Sequence, residues 1–214
     1  TKSEPIMLTG YMKDVWSQSY EAQKVQVDGN YIELWQPDSQ DWWHLYAYFN
    51  GEQLSFSGRF QSRDHVVRGH NKMYNTLKSD SGLLTIVLED YCGNLSEPMN
   101  LVIGTDLNAE ITSDVIPDDA LREKILETVS GNTVGDLMAY KGALDLSGLG
   151  IKDLKGLELL SGATSIDLSG NTEVASIQPG TFSSMANLSE LNISGMSGLK
   201  IFDISNTSVE KITC

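Results

Sequence analysis

The chain has few of the residues that build disulfide frameworks, metal sites or membrane spans. Its 214 residues include 2 cysteines, 3 histidines and 5 prolines. The cysteines, Cys92 and Cys214, have no short spacing that would make a metal site or a disulfide framework, and we interpret each as a small buried apolar residue. No apolar run approaches the roughly 18 residues needed to cross a bilayer. The sequence therefore predicts no cofactor, no bound metal and no membrane insertion.

Basic side chains are also scarce. There are 15 lysines and arginines against 29 aspartates and glutamates, a net charge of −14. The excess is spread along the chain, with −5 in residues 1–104, −6 in 105–160 and −3 in 161–214. An evenly acidic protein without a basic stripe repels phosphate backbones and anionic lipid surfaces. We therefore expect neither a nucleic acid nor a membrane as a partner.

One short phrase recurs in the last third of the chain: ALDLS at 143–147, SIDLS at 165–169, ELNIS at 190–194 and KITC at 211–214. Its first apolar residues, Leu144, Ile166, Leu191 and Ile212, are 22, 25 and 21 residues apart. This spacing lies within the period of leucine-rich repeats. Alternation within each phrase predicts a strand that is buried on one side. Because Cys214 falls inside the pattern, we expect the repeats to be truncated at the C-terminus.

The alternation divides the phrases into two faces. The inward positions are Leu144, Leu146, Ile166, Leu168, Leu191, Ile193, Ile212 and Cys214. The outward positions share one face and are our predicted binding surface: Asp145, Ser147, Asp167, Ser169, Glu190, Asn192 and Ser194. Between the strands the chain must return one layer along, and apolar residues at intervals mark these returns. They are Val174, Ile177, Phe182, Met185 and Leu188 (with Asn171) in one return, and Leu199, Phe202, Ile204 and Val209 (with Asn206 at the bend) in the next.

Two predicted helices precede the repeats. Ser113 or Asp114 can cap the first helix, Pro117 fits its first turn, and Asp118 and Asp119 lie at the positive end of its dipole. Its apolar stripe is Ala120, Leu121, Ile125, Leu126 and Val129. A second helix, at about 134–140, follows Thr133 as its N-cap. We expect residues 114–142 to form a helical cap and 143–214 the repeats.

These segments resemble known bacterial surface proteins. IPDDALREKIL followed by LDLSGLGIKDLKGLELL is similar to the N-terminal cap and first repeat of internalin-type leucine-rich repeat proteins. The later stretch SIQPGTFSSMANLSELNIS is similar to BspA-like repeats. The repeats here are irregular in length and their outward face carries small polar residues. The resemblance covers roughly residues 114–214, and it implies a secreted or cell wall-attached bacterial protein.

Residues 1–104 have a different pattern. Alternating apolar runs occur near 6–11, 25–27, 31–35, 43–49, 54–60, 73–77, 83–88 and 99–103, and Asn50-Gly51 between two of them indicates a hairpin. Short strands at this spacing predict an antiparallel β-sandwich. The segment DSGLLTIVLEDYCGNLSEPMNLVIG, with Asp90, Gly93, Asn94 and Ser96, resembles the last two strands of bacterial immunoglobulin-like or fibronectin-like modules. The predicted fold class is α+β and multidomain: an immunoglobulin-like sandwich, a linker at 105–113, and a helix-capped solenoid with a parallel β-ladder.

An aromatic-rich run lies in the predicted sandwich. Alternation places Trp43, Leu45, Ala47 and Phe49 on the core face, and Trp42, His44, Tyr46 and Tyr48 on the opposite face. Exposed rings on that second face could stack on sugars or contact a partner. It is therefore a second candidate binding surface, although a structural role is the competing interpretation.

No catalytic constellation is apparent. The sequence contains no Gly-x-Ser-x-Gly elbow, phosphate loop or dinucleotide fingerprint. Asp38 with Asp41, and His65 with His70, lack the convergent spacing of metal ligands. We predict that the segment is not an enzyme.

Three functions remain open from sequence. The first is non-catalytic binding or adhesion by a secreted or cell-surface bacterial protein, with a protein or a cell-surface glycan as ligand. The second is an accessory region, for spacing or substrate positioning, of a large secreted glycoside hydrolase. The third is carbohydrate binding by the β-sandwich.

Overall fold

The structure is a computed structural model that describes residues 6–11, 19–28, 31–35, 42–55, 72–90 and 93–214. Side chains are described for 45–55, 77–89 and 93–214. The chain divides into two compact units. One comprises Thr1–Phe49 with Gln53–Gly104, and the other comprises Asn50–Glu52 with Thr105–Cys214.

The first unit contains two antiparallel sheets. Its strands are β1 (Ile6–Tyr11), β2 (Ser19–Asp28), β3 (Tyr31–Trp35), β4 (Trp42–Phe49), β5 (Glu52–Gln53), β6 (Lys72–Thr76), β7 (Gly82–Asp90) and β8 (Met99–Ile103). One sheet has the order β1-β2-β3-β6 and the other β5-β4-β7-β8. The predicted strands at 6–11, 31–35 and 99–103 coincide with observed ones.

The predicted hairpin joins β4 to β5. Asn50 and Gly51 both have positive φ, 49° and 75°, the conformation of a type I′ turn, whose twist matches that of the flanking strands. On the predicted core face of β4, Ala47 and Phe49 are buried and Leu45 packs against the same cluster. The Asn-Gly signal is confirmed, and so is the core face for Leu45, Ala47 and Phe49; the side chain of Trp43 lies outside the described ones.

Tyr48, on the second face of β4, is not exposed as alternation predicted. Tyr48 is only 1% exposed. On the neighbouring strand β7, Leu83, Thr85 and Val87 are likewise buried, and Tyr48 is paired with Thr85. Alternation predicts one exposed face only when a sheet is covered on one side. In the described part of the β4–β7 pair, buried residues lie on both faces: Ala47, Phe49 and Ile86 on one, and Tyr48, Thr85 and Val87 on the other. The prediction that Tyr48 is exposed on a sugar- or partner-binding surface is wrong in respect of its exposure.

Two short helices begin the second unit. Helix α1 spans Asp119–Thr128 and α2 spans Val134–Ala139. In the described part of the chain, no helix is long and apolar enough to cross a membrane. Thr133 caps α2 as predicted, in a capping box with Asp136. The cap of α1 differs from the prediction.

Asp118, rather than Ser113 or Asp114, is the N-cap of α1. Its Oδ1 accepts a hydrogen bond from the backbone N–H of Leu121 at 3.0 Å. Its Oδ2 accepts from the N–H groups of Lys152 and Asp153, at 2.8 and 3.2 Å. The bonds of Oδ2 are tertiary contacts. One carboxylate therefore both caps helix α1 and holds the return loop of the first repeat.

The repeats form a parallel ladder. Strands β9 (Lys141–Asp145), β10 (Gly162–Asp167), β12 (Glu190–Asn192) and β14 (Lys211–Thr213) lie side by side, and β11 (Ser176–Ile177) pairs with β13 (Ile201–Phe202) on the returns. Leu144 is the partner of Ile166, Ile166 of Leu191, and Leu191 of Ile212, all in parallel register. The predicted rungs are therefore confirmed.

Most predicted inward side chains are buried. Exposure is 2% or less for Leu144, Leu146, Ile166, Leu168 and Leu191, and 9% for Ile193. The return residues Val174, Ile177, Phe182, Met185 and Leu188 are also buried. Burial of these side chains, at roughly 1.5–3 kcal/mol each, is the main stabilising term of the stack.

The last rung departs from this pattern. Ile212 and Phe202 are each 39% exposed, and Cys214 is exposed, although Ile212 and Cys214 occupy inward positions of the phrase and Cys214 was predicted to be buried. Each earlier rung is covered by the next, and in the described part of the chain no strand lies beyond β14. In a solenoid the residues of one repeat are buried by the neighbouring repeat. The alternation within a phrase therefore predicts which side chains point inward, but not whether they are buried.

Asn171 satisfies backbone groups inside the stack. The side chain is fully buried. Its Nδ2 donates to the carbonyls of Leu146 and Leu168, both at 2.8 Å, and its Oδ1 accepts from the N–H of Ile151 at 3.0 Å. The chain turns here between strand and return, where no ladder partner is available to these groups.

We predict that Asn171→Ala destabilises the repeats by about 3 kcal/mol or more. The substitution removes three hydrogen bonds and leaves two buried backbone groups, the carbonyl of Leu146 and the N–H of Ile151, without these partners, each worth roughly 1–3 kcal/mol. The Leu168 carbonyl keeps the backbone N–H of Asn171 at 3.3 Å. Urea denaturation followed by circular dichroism measures the change. Asn187→Ala, at an exposed asparagine, is the control and is expected to change stability by under about 0.5 kcal/mol. Equal effects of the two substitutions would contradict the assigned role of Asn171.

A second prediction concerns Asp118→Asn. Asparagine caps helices as well as aspartate does, but whichever way its amide points, an NH₂ group faces backbone donors. We expect a loss of about 1–2 kcal/mol, measured in the same denaturation experiment. Asp114→Asn, at an exposed site, is the matched control. An unchanged midpoint for Asp118→Asn would show that the bonds to Lys152 and Asp153 contribute nothing.

Candidate functional site

The outward residues of the ladder form the predicted polar surface, which we call the strand face. Parallel register aligns them in columns. One column runs Ala143, Ser165, Glu190, Lys211 and the next runs Asp145, Asp167, Asn192, Thr213. Ser147, Ser169 and Ser194 follow their strands at equivalent positions. All seven predicted residues of this face lie on the same side of the ladder, and none is fully buried.

Each acidic or amide residue of the second column bonds the serine two positions later. Asp145 Oδ1 accepts from the Ser147 hydroxyl at 2.7 Å and from its N–H at 3.0 Å. Asn192 Oδ1 accepts likewise from Ser194, at 2.9 and 3.1 Å. These side-chain turns end each strand and hold the carbonyl-type oxygens in a repeated orientation.

Neighbouring rungs are also linked across the face. Asn192 Nδ2 donates to Asp167 Oδ2 at 2.9 Å, and Lys211 Nζ lies 3.1 Å from Glu190 Oε1. The Glu190–Lys211 ion pair is solvent-exposed and contributes little to stability. Asp145 and Asp167 remain as two carboxylates on adjacent rungs, roughly 4.8 Å apart by the spacing of strands.

Both carboxylates are held in the ionised form. Hydrogen bonds from the Ser147 hydroxyl and N–H lower the pKa of Asp145, and Lys124 adds a smaller effect. Burial raises the pKa of Asp167, but hydrogen bonds from Ser169 and Asn192 outweigh it, so the net pKa is lowered. A carboxylate with a lowered pKa is a poor general acid or base at neutral pH. The strand face is instead suited to contact cationic and hydrogen-bond-donating groups of a partner.

The second predicted surface is only partly described. The side chains of Trp42 and His44 lie outside the described ones, as do Asp38, Asp41, His65 and His70. Tyr46 is partly buried and its hydroxyl donates to Glu89 Oε2 at 2.6 Å. Burial and this bond raise the pKa of Tyr46 to about 12. With Tyr48 buried, these two tyrosines do not present a pair of exposed rings.

Sequence reasoning did not identify Glu158. It lies in the 3₁₀ turn Leu157–Leu159 and is 5% exposed. A signal was available, because Glu158 interrupts an otherwise apolar run between Leu157 and Leu160. Among the residues that the structure describes, no group of three or more histidine, cysteine, aspartate or glutamate side chains could hold a metal ion.

Comparison with known proteins identifies the second unit. Residues 116–214 match the family described as the leucine-rich repeat domain of the endo-β-N-acetylglucosaminidase EndoS. The chain is also 30% identical over 140 residues to endo-β-N-acetylglucosaminidase EndoSd of Streptococcus dysgalactiae. That alignment covers 64% of this chain and 16% of the streptococcal enzyme, so the chain spans about a sixth of the relative's length. Residues 116–214 are a leucine-rich repeat region.

A solved structure that contains a carbohydrate-binding module is also similar at low level. It comprises the CBM51-2 module in complex with GlcNAc and INT domains from Clostridium perfringens ZmpB. The match covers 90% of this chain and 62% of that one, with 13% identity and a TM-score of 0.32. At this TM-score, neither the fold nor the ligand of that structure can be assigned to this chain.

We predict that Ser147→Ala raises the pKa of Asp145 towards its ordinary value, because the serine hydroxyl is the largest cause of the lowered pKa. A ¹³C NMR titration of the aspartate carboxyl carbons measures it. Ser130→Ala, at an exposed serine remote in sequence from the strands, should leave the pKa of Asp145 unchanged. A titration of Asp145 that is the same in both variants would rule out the Ser147 bond.

Proposed function

We propose that this chain is a non-catalytic accessory segment of a secreted bacterial glycoside hydrolase of the endo-β-N-acetylglucosaminidase type, and that its strand face binds the polypeptide part of a glycoprotein. The match of residues 116–214 to the repeat domain of such an enzyme carries the proposal. Of the functions open from sequence, the accessory role is the one that the relatives favour.

The alignment with the streptococcal enzyme extends beyond the repeats. Its 140 residues exceed what residues 116–214 can hold, so it includes part of the chain that precedes the cap. Part of the chain that precedes the repeats is therefore aligned with an endoglycosidase as well. This supports an accessory segment rather than a free-standing adhesin.

The strand face supports contact with protein. It is built on strands rather than on loops, its side chains are fixed by hydrogen bonds, and two adjacent carboxylates give it local negative charge. Arginine and lysine side chains of a partner complement such a surface. Sugar binding by the β-sandwich is not proposed, because Tyr48 is buried and the Tyr46 hydroxyl is bonded to Glu89.

We also assign the first unit to the immunoglobulin-like or fibronectin-like sandwiches. The orders β2-β3-β6 and β5-β4-β7-β8 correspond to strands A-B-E and C′-C-F-G of that fold, with β1 added at the edge. An internalin-type cap, BspA-like repeats and secretion or wall attachment remain parts of the same proposal. They are supported by the sequence motifs and by the bacterial relative.

The test is binding of the purified chain to immobilised N-glycosylated serum proteins, each intact and after enzymatic removal of its N-glycans. We expect binding to survive deglycosylation and to weaken at least tenfold in Asp145→Asn with Asp167→Asn. These asparagines keep the oxygen that accepts from the serine but remove the charge. Asp145→Lys with Asp167→Lys should weaken binding further, because it reverses the charge of the strand face. Added salt should weaken binding of the wild type.

The matched control is Asp114→Asn with Glu123→Gln, which removes two negative charges from exposed sites off the strand face. It should bind as the wild type does. Equal losses in the two double variants would show that net charge rather than the strand face matters. Binding that disappears on deglycosylation, or binding to none of the proteins, would contradict the proposal.

A further inference from the structure

Glu158 lies where the cap and the first two repeats meet, a region we call the cap junction: residues 115–118, 152–160 and 179–184. Gly156 approaches the cap so closely that a Cβ there would lie 2.6 Å from Ile116 Cγ1 and 2.9 Å from Val115 O. The hydroxyl of Ser184, from the second repeat, donates to the backbone carbonyl of Glu158 at 2.6 Å. Three segments distant in sequence therefore close around one acidic residue.

The carboxyl group of Glu158 has little compensation for its burial. Its Oε2 accepts from the N–H of Gly156 at 2.8 Å. The turn Asn50–Glu52 belongs to the same compact unit, and a Cβ on Gly51 would lie 3.7 Å from both Glu158 Oε2 and Gly180 O. Backbone atoms of glycine thus occupy space in which water would solvate a charge.

The charged groups near Glu158 come from its own loop. Lys155 favours the ionised form and Asp153 opposes it. The segments 115–117 and 179–184 carry no charged residue, Glu52 is exposed, and Asp118 is engaged with the backbone of Lys152 and Asp153. No cation therefore forms a direct ion pair with Glu158 among the described residues.

We propose that Glu158 is a protonation-dependent lock of the cap junction: the neutral carboxyl keeps the junction closed, and ionisation favours its opening. Charging a buried carboxyl costs free energy that neutral packing does not. Opening of the cap junction exposes the carboxyl group to water and removes this cost. The ionisation of Glu158 and the opening of the cap junction are therefore linked equilibria.

The direction of the pH effect follows from burial. Burial raises the pKa of Glu158 above its ordinary 4.5 and outweighs the N–H groups that lower it. For a carboxyl whose pKa is raised by folding, the stabilising contribution is complete below about pH 4.5. It is lost as the pH rises through the pKa of the folded state. The pH effect has the opposite direction for carboxyl groups whose pKa is lowered by folding, which are Asp118, Asp145, Asp167 and Asp203. Their stabilising contribution is complete above about pH 3.8 and is lost only as the pH falls below that value.

Hydrogen–deuterium exchange of the 214-residue chain from pH 4.5 to 8 tests the lock, with rates corrected for intrinsic exchange. In the wild type, protection of 156–160 and 179–184 should fall by up to about tenfold per pH unit until the folded-state pKa is reached. Protection of the ladder strand Gly162–Asp167 should change less. In Glu158→Gln, protection of the cap junction should not depend on pH.

Glu210→Gln makes the same chemical change at an exposed carboxyl and should reproduce the wild-type pH dependence. A ¹³C NMR titration of the Glu158 carboxyl carbon in the wild type is the second measurement, and it is informative even if Glu158→Gln does not fold. A midpoint at or below 4.5 would overturn the proposal. So would cap-junction protection that is equally pH-dependent in wild type and Glu158→Gln.

Discussion

The parallel pairing of successive rungs is the constraint on which the second unit depends. Leu144, Ile166 and Leu191 are buried only because each rung is covered by the next in register. A slip of one residue would turn the aliphatic side chains outward and the aspartates inward. Register therefore produces both the core and the strand face. The stability of the repeats and the binding that we propose for the strand face would have the same structural origin.

Polar groups then fix the ends of the ladder and its returns. Asn171 satisfies backbone groups that no strand can reach. Asp118 starts the cap helix and holds the first return. Both residues bond segments 20 or more positions away, so each converts a local turn into a tertiary link. The repeat region is a continuous structure from the cap onward, rather than a row of separate loops.

Acidic residues have opposite roles in the two parts of this region. Asp145 and Asp167 accept hydrogen bonds at the surface and stay charged, which favours contact with a cationic partner. Glu158 is enclosed by backbone and has a raised pKa. The same carboxyl chemistry therefore supports two proposals, recognition on the strand face and pH-dependent packing at the cap junction, and they differ in the access of solvent to the carboxyl group.

Local pattern in the amino-acid sequence was sufficient for the strands at 6–11, 31–35 and 99–103, the Asn50-Gly51 turn, the Thr133 cap and the column of Leu144, Ile166, Leu191 and Ile212. These features depend on residue spacing and on backbone conformations that few residue types adopt. Tertiary structure alone decided that Tyr48 is buried, that Asp118 rather than Asp114 caps α1, and that Glu158 lies inside. Burial and side-chain partners depend on which distant segments come together, and no single stretch of sequence contains that information.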